Sequence, residues 1–373
     1  MKILIAPDKF KGSLTAKEVC DAITLGLLQT NPDLTITSIP MADGGEGTCE
    51  LLTHYFKGDI ISAEVTGPDF EKIKAEYGIS KDGSTAFIEM AKASGLQLLK
   101  PENRNPLFTT TLGTGELIKD ALDRGVKKIL MGIGGSATND AGMGMAHALG
   151  FKFYDSKREL LKPIGKNLVQ LKSIETAHAH PRLKEVEFMA LCDVDNPLFG
   201  IHGAAYTYGP QKGANEKAVK HLDDGLRNFE AIAQKTFKTS ANFPGAGAGG
   251  GLPVGAKVFF NIAVHRGMDY IIKATDLEEK IQHADLIITG EGKIDQQTLA
   301  GKVVMEIGRL GLKYNKQVVA VTGKCELRSL ELQKIGITTT LSLMDYQVSE
   351  HEAITNAFRL IQEKSKNLIT LSR

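Results

Sequence analysis

The chain has 373 residues, 42% of them hydrophobic and 24% charged, which are the proportions of an ordinary globular protein able to bury a core. Its 45 basic and 44 acidic side chains leave a net charge of +1 with no basic stripe or acidic tail, so nucleic acid is not an expected partner. The four cysteines, Cys20, Cys49, Cys192 and Cys325, are scattered without a C-x-x-C pair. That pattern argues against a disulfide framework and a zinc site and for reduced thiols.

Residues 2–6 (KILIA) form an apolar run ending at Pro7-Asp8, too short for the centre of a signal peptide. No segment reaches the ~18 uninterrupted apolar residues that span a bilayer, so a cytoplasmic protein without membrane attachment is expected. Residues 15–28 carry Val19, Ala22, Ile23 and Leu27 at helical spacing. A second strand over 34–39 and a helix through Cys49, Leu51, Leu52 and Tyr55 complete a β-α-β-α pattern, the mark of a parallel sheet covered by helices.

The alternation returns near the C-terminus, with strands expected at 284–289, 317–322 and 337–343 and helices at 302–310 and 351–365. Between these ends, alternating runs at 59–66, 72–79 and 84–90 predict adjacent antiparallel strands. Neither end alone supplies the ~5 strands of a usual sheet. The economical arrangement is a discontinuous domain of residues 1–58 and 264–373 interrupted by an inserted α/β domain of residues 59–263 with a mixed sheet.

Polar clusters directly follow several apolar runs: 8–13, 43–48, 132–144, 192–197, 290–297 and 322–324. In open α/β sheets ligands bind beyond the carboxyl ends of the strands, so this shared placement suits a common cleft. Residues 132–144 (GIGGSATNDAGMG) follow Ile129, Leu130 and Met131 and look built to aim backbone N–H groups and hydroxyls at an anion. Gly132, Gly134 and Ala137 also match a dinucleotide fingerprint, with Asp155 about 20 residues on, which would suit an NAD(P)-dependent oxidoreductase of a small hydroxy acid. Against this, a helix directly after the turn would have to absorb Gly142 and Gly144, and Gly245, Gly247 and Gly250 match the same pattern with no strand before them.

No P-loop and no protein-kinase signature is present. Phosphoryl transfer needs backbone donors, a carboxylate for Mg²⁺, a positive charge and a carboxylate for the acceptor's proton. Residues 132–138 and 245–251 can cradle phosphates, Asp193, Asp195, Glu291 and Asp295 stand at strand ends, and Lys9, Lys11, Lys212 and Lys293 supply charge. Plainer roles suit the same acids. Asp193 and Asp195 fit Asx turns before Pro197, and Asp43 and Glu46 fit the start of the following helix.

Eight strings spread over nearly the whole chain resemble the type I glycerate kinases of bacteria: IAPDKFKGSLTA, PMADGGEGT, TTTLGTGELI, GIGGSATNDAGMGM, CDVDNPLFG, GPQKGAN, GAGAGGGL and TGEGKIDQQTLAGK. The resemblance implies a flavodoxin-like, doubly wound parallel sheet interrupted by the second α/β domain. It also implies ATP- and Mg²⁺-dependent phosphorylation of D-glycerate, giving 2-phosphoglycerate or, alternatively, 3-phosphoglycerate. The family usually has serine where Lys9 stands, which favours Lys11 as the substrate-binding cation. Arginine is common in place of Lys293, an exchange that keeps charge but loses the bidentate fork.

Both lines together give the expected site. Asp193 is the base and Lys11 a catalytic cation, with Asp8, Ser13, Asp43, Gly44 and Gly45 holding glycerate. Gly134, Gly135, Ser136, Thr138, Asn139, Gly247 and Gly249 bind the ATP phosphates, and Glu291 and Asp295 hold Mg²⁺, the carboxylates being interchangeable in role. A homo-oligomer is compatible with this reading.

Overall fold

The apolar runs become strands, and most of the polar clusters become the turns that follow them. A computed structural model describes residues 1–373 except 43, 241, 261, 345–347 and 372–373. In chain order the strands are β1 (Lys2–Ile5), β2 (Thr35–Ser38), β3 (Asp59–Thr66), β4 (Lys72–Ile79), β5 (Thr85–Glu89), β6 (Lys128–Gly132), β7 (Lys152–Tyr154), β8 (Ser173–Glu175), β9 (Glu187–Leu191), β10 (Ala263–His265), β11 (Leu286–Ile294), β12 (Val318–Cys325) and β13 (Thr339–Ser342). The chain divides into two units, Met1–Asp43 with Met268–Arg373, and Gly44–Gly267.

In the first unit the described strands pair in parallel in the order β2-β1-β11-β12-β13. Numbered within that unit the order is 2-1-3-4-5, the flavodoxin-like arrangement. Helix α1 (Ala16–Thr30) starts at a capping box in which the Thr15 hydroxyl accepts from the Glu18 N–H and the Glu18 carboxylate accepts from the Thr15 N–H. Its buried Val19, Cys20, Ile23 and Leu27 pack with Ile3, Ile5, Leu286, Ile288, Val319 and Val321.

Two expectations change here. The helix predicted over 351–365 is broken at Asn356 into Glu350–Thr355 and Ala357–Ser365. Strand β11 does not stop at Thr289 but runs to Ile294, because β12 runs on beside it and pairs Lys293 with Lys324 and Ile294 with Cys325. Glu291 is therefore a strand residue and Asp295 the first residue beyond the strand.

In the second unit the sheet order is β10-β9-β6-β5-β4-β3. The β3-β4 and β4-β5 pairs are antiparallel, whereas β5, β6, β9 and β10 run parallel. This is the expected mixed sheet. Its core gathers Ile88, Leu117, Ile129, Met131, Phe153, Phe188 and Phe229, with Phe259 and Phe260 at the centre of the aromatic contacts. Helix Thr48–Tyr55 and strand β10 both lie in this unit. None of the four cysteines is joined in a disulfide, and no helix among the described residues is long and apolar enough to cross a membrane.

Candidate active site

Parallel pairing lines up the carboxyl ends of four strands of the second unit. Glu89 pairs with Gly132, Gly132 with Leu191, and Leu191 with His265. The segment at Gly44 and Gly45 lies across this edge at backbone contact distance. The Gly44 carbonyl oxygen is 2.7 Å from the position a Cβ on Gly132 would take, and the Gly45 Cα is 3.3 Å from that of Gly134. Only glycine permits so close an approach of two backbones.

Asp193, two residues beyond β9, points one carboxylate oxygen at each neighbour. Oδ1 accepts a 3.1 Å hydrogen bond from the Gly267 N–H and lies 4.0 Å from the Arg266 Nε. Oδ2 lies 3.0 Å from where a Cβ on Gly44 would be. The expected residues Asp193, Gly44, Gly45 and Gly134 thus come together. Asp43 lies outside the described residues.

Glu89 was missed in the sequence. Only 2% exposed, it ends β5 and its Oε1 accepts a 2.7 Å hydrogen bond from the Cys49 N–H. Helix Thr48–Tyr55 begins at Gly47 with no side-chain cap, and Glu89 supplies the missing acceptor from a neighbouring strand. An acid closing an apolar alternation was the available signal.

The loop after β6 has an exposed tip and a buried base. Gly134 and Gly135 are exposed, while Ser136 is 6% exposed and Thr138, Asn139 and Asp140 are fully buried. The Gly135 carbonyl accepts from the Leu96 N–H and the Ala137 N–H donates to the Ser94 carbonyl, which clamps the turn. Asp140 anchors the base by accepting from the Thr111 N–H and hydroxyl and from the N–H groups of Gly142 and Gly144. Burial pushes its carboxyl up, and these hydrogen bonds oppose the shift.

Lys212 ends the turn Pro210–Lys212 and reaches this loop from beneath. Its Nζ donates to Ser136 Oγ and to the Thr138 carbonyl, each at 2.7 Å. Burial pushes the ammonium down to about 7, against the opposing field of Asp140. The Thr138 hydroxyl oxygen and both amide atoms of Asn139 are buried with no hydrogen-bond partner among the described residues.

The second glycine-rich loop backs the first. A Cβ on Gly249 would meet Ile133 at 2.6 Å, and one on Gly247 would meet the Pro197 carbonyl oxygen at 2.3 Å. Close packing by itself accounts for both glycines. The helix that a dinucleotide fingerprint needs straight after its glycines starts only at Met143. The oxidoreductase alternative loses its structural basis there.

In the first unit a separate set gathers at the end of β11. The Asp8 N–H donates to the Gly290 carbonyl, and the Lys11 N lies 3.3 Å from the Cβ position of Gly292. The Lys11 side chain is exposed. Ser13 Oγ donates to the Ile354 carbonyl, which uses its one proton.

Glu291 is buried and its Oε1 accepts a 2.6 Å hydrogen bond from the Thr298 hydroxyl, whose oxygen in turn accepts from the Asp295 N–H. The Gln297 N–H and then Lys293, 3.3 Å away, hold the Asp295 carboxyl below its usual range. No group of three or more His, Cys, Asp or Glu poised for a metal occurs among the described residues. Two carboxylates and a hydroxyl nevertheless fit Mg²⁺, which takes one or two protein carboxylates and fills its octahedron with water and phosphate oxygens.

A strand-edge carboxylate, a clamped glycine turn and a buried lysine under it are the kinds of group that phosphoryl transfer to a small molecule uses in an α/β fold. The model of the glycerate kinase family matches residues 3–373, and the chain belongs to that family. It is an enzyme, a kinase acting on glycerate. It is 43% identical to a glycerate kinase of Bacillus cereus over 99% of this chain and 97% of the relative. To a glycerate 2-kinase of Escherichia coli it is 42% identical, again over 99% and 97%. A crystal structure from Salmonella typhimurium LT2, bearing the name glycerate kinase 2, superposes with a TM-score of 0.87 at 39% identity, covering 100% of this chain and 98% of that one.

Proposed function

We propose that the enzyme transfers the γ-phosphoryl group of ATP to the 2-hydroxyl of D-glycerate, giving 2-phosphoglycerate and ADP. The observation that carries this reading is Asp193, fixed by the Gly267 N–H and set against Gly44, on the strand edge that also bears the Gly134 turn. The glycerate hydroxyl gives its proton to Asp193 Oδ2 as its oxygen bonds to phosphorus, and the bond to the β–γ bridging oxygen breaks to release ADP. Gly134 and Gly135 offer exposed backbone N–H groups to the phosphate oxygens, as glycine turns after strands do elsewhere.

Lys11, beside Asp8 at the end of β11, is assigned to the glycerate carboxylate. Glu291 and Asp295 would hold Mg²⁺, which neutralises phosphate charge when bound. The name of the Escherichia coli relative, glycerate 2-kinase, supports the 2-position.

The test is incubation with ATP, Mg²⁺ and D-glycerate, followed by proton-coupled phosphorus NMR of the product. A doublet, from phosphorus next to one methine proton, is expected. A triplet would mean 3-phosphoglycerate and overturn the regiochemistry, and no ADP release would overturn the donor.

A further inference from the structure

Lysine is almost never fully buried without a paired charge. Lys212 is 2% exposed, and among the described residues no carboxylate forms an ion pair with it. Its Nζ is spent on Ser136 Oγ and the Thr138 carbonyl, both in the loop tipped by Gly134 and Gly135. Asp140 is the charged group whose field acts on it, but that carboxylate is engaged by Thr111, Gly142 and Gly144. Arg104 stands on the neighbouring segment, with its carbonyl under Gly213. Among the described residues this buried basic group therefore feels the field of Asp140 but has no carboxylate in direct contact with its Nζ.

We propose that Lys212 is the positioning and charge-compensating residue of the Gly134 loop, and that its Nζ takes up one proton from solvent when the phosphates of a nucleotide bind there. The proposal rests on the reading of this loop as the ATP-phosphate site. Two physical points support it. Because Ser136 Oγ accepts from Lys212, its own O–H is left to donate to a phosphate oxygen. Because burial holds the ammonium near pH 7 in the free protein, an arriving anion shifts it toward the charged form.

Calorimetric titration of the full chain with ATP and Mg²⁺, without glycerate, tests this between pH 7.5 and 9, where ATP itself is fully ionised. Two buffers of different ionisation enthalpy count the protons. The wild type should take up close to one proton per ATP, and its Kd should rise about tenfold per pH unit. Lys212→Met should abolish the uptake and weaken binding roughly 10–100-fold at pH 7.5, with a flat pH profile. Lys212→Arg, permanently charged, should bind without uptake.

Wild-type binding of ATP with no proton uptake overturns the proposal whether or not a variant folds, and so does unchanged affinity in Lys212→Met. If wild type binds no ATP at any pH, the ATP reading fails with it. If wild type binds and turns over ATP without uptake, the role of Lys212 alone fails.

Discussion

Asp193 Oδ2 stands 3.0 Å from the place a methyl group on Gly44 would occupy, and Gly44 has a φ of +87°. Alanine there meets the carboxylate and a backbone conformation that L-residues avoid. Gly44→Ala should lower kcat about 100-fold through displacement of the carboxylate by a fraction of an ångström, and the strained backbone should lower the melting temperature as well. Steady-state kinetics beside a melting curve checks this.

The Asp193→Asn variant keeps an oxygen to accept from the Gly267 N–H but cannot take a proton. Its kcat should fall roughly 10²–10⁴-fold while the KM for ATP changes little. A near wild-type kcat in a folded variant would remove Asp193 from the base role.

Asp140 accepts four hydrogen bonds in full burial. Asp140→Ala strands those donors at a cost of roughly 1–3 kcal/mol for each that finds no substitute partner. Urea unfolding should show this as one of the most destabilising single changes in the second unit, in contrast to Asp193→Asn.

Lys212 also sets a pH dependence of stability. It holds its proton up to 10.5 in the unfolded chain but only to about 7 in the folded one. Between those values the unfolded state binds more protons, so stability rises with pH, and the cost of the buried ammonium is complete below about pH 7. Lys212→Met lacks this slope. Its melting temperature relative to wild type should be highest near pH 6 and decline toward pH 10.

The Thr298 hydroxyl that bonds Glu291 can equally bond glutamine. Glu291→Gln should therefore fold normally yet need a higher Mg²⁺ concentration for half-maximal rate. An unchanged Mg²⁺ titration would remove Glu291 from metal binding.

The strands, the capped first helix, the antiparallel run over 59–90 and the polar clusters behind the strands were legible because apolar periodicity and turn residues are local signals. The eight family strings made glycerate and a flavodoxin-like sheet readable as well. Tertiary structure alone decided which clusters meet. Gly267 and Asp193 are 74 residues apart, and Lys212 and Ser136 are 76 apart. Strand order and parallel crossovers join them, and no local pattern encodes either. The extension of β11 past Thr289 needed β12 beside it, and the capping role of Glu89 needed a helix from 40 residues upstream. The burial of Lys212, which gives it a proton to gain, exists only once the loops close over it.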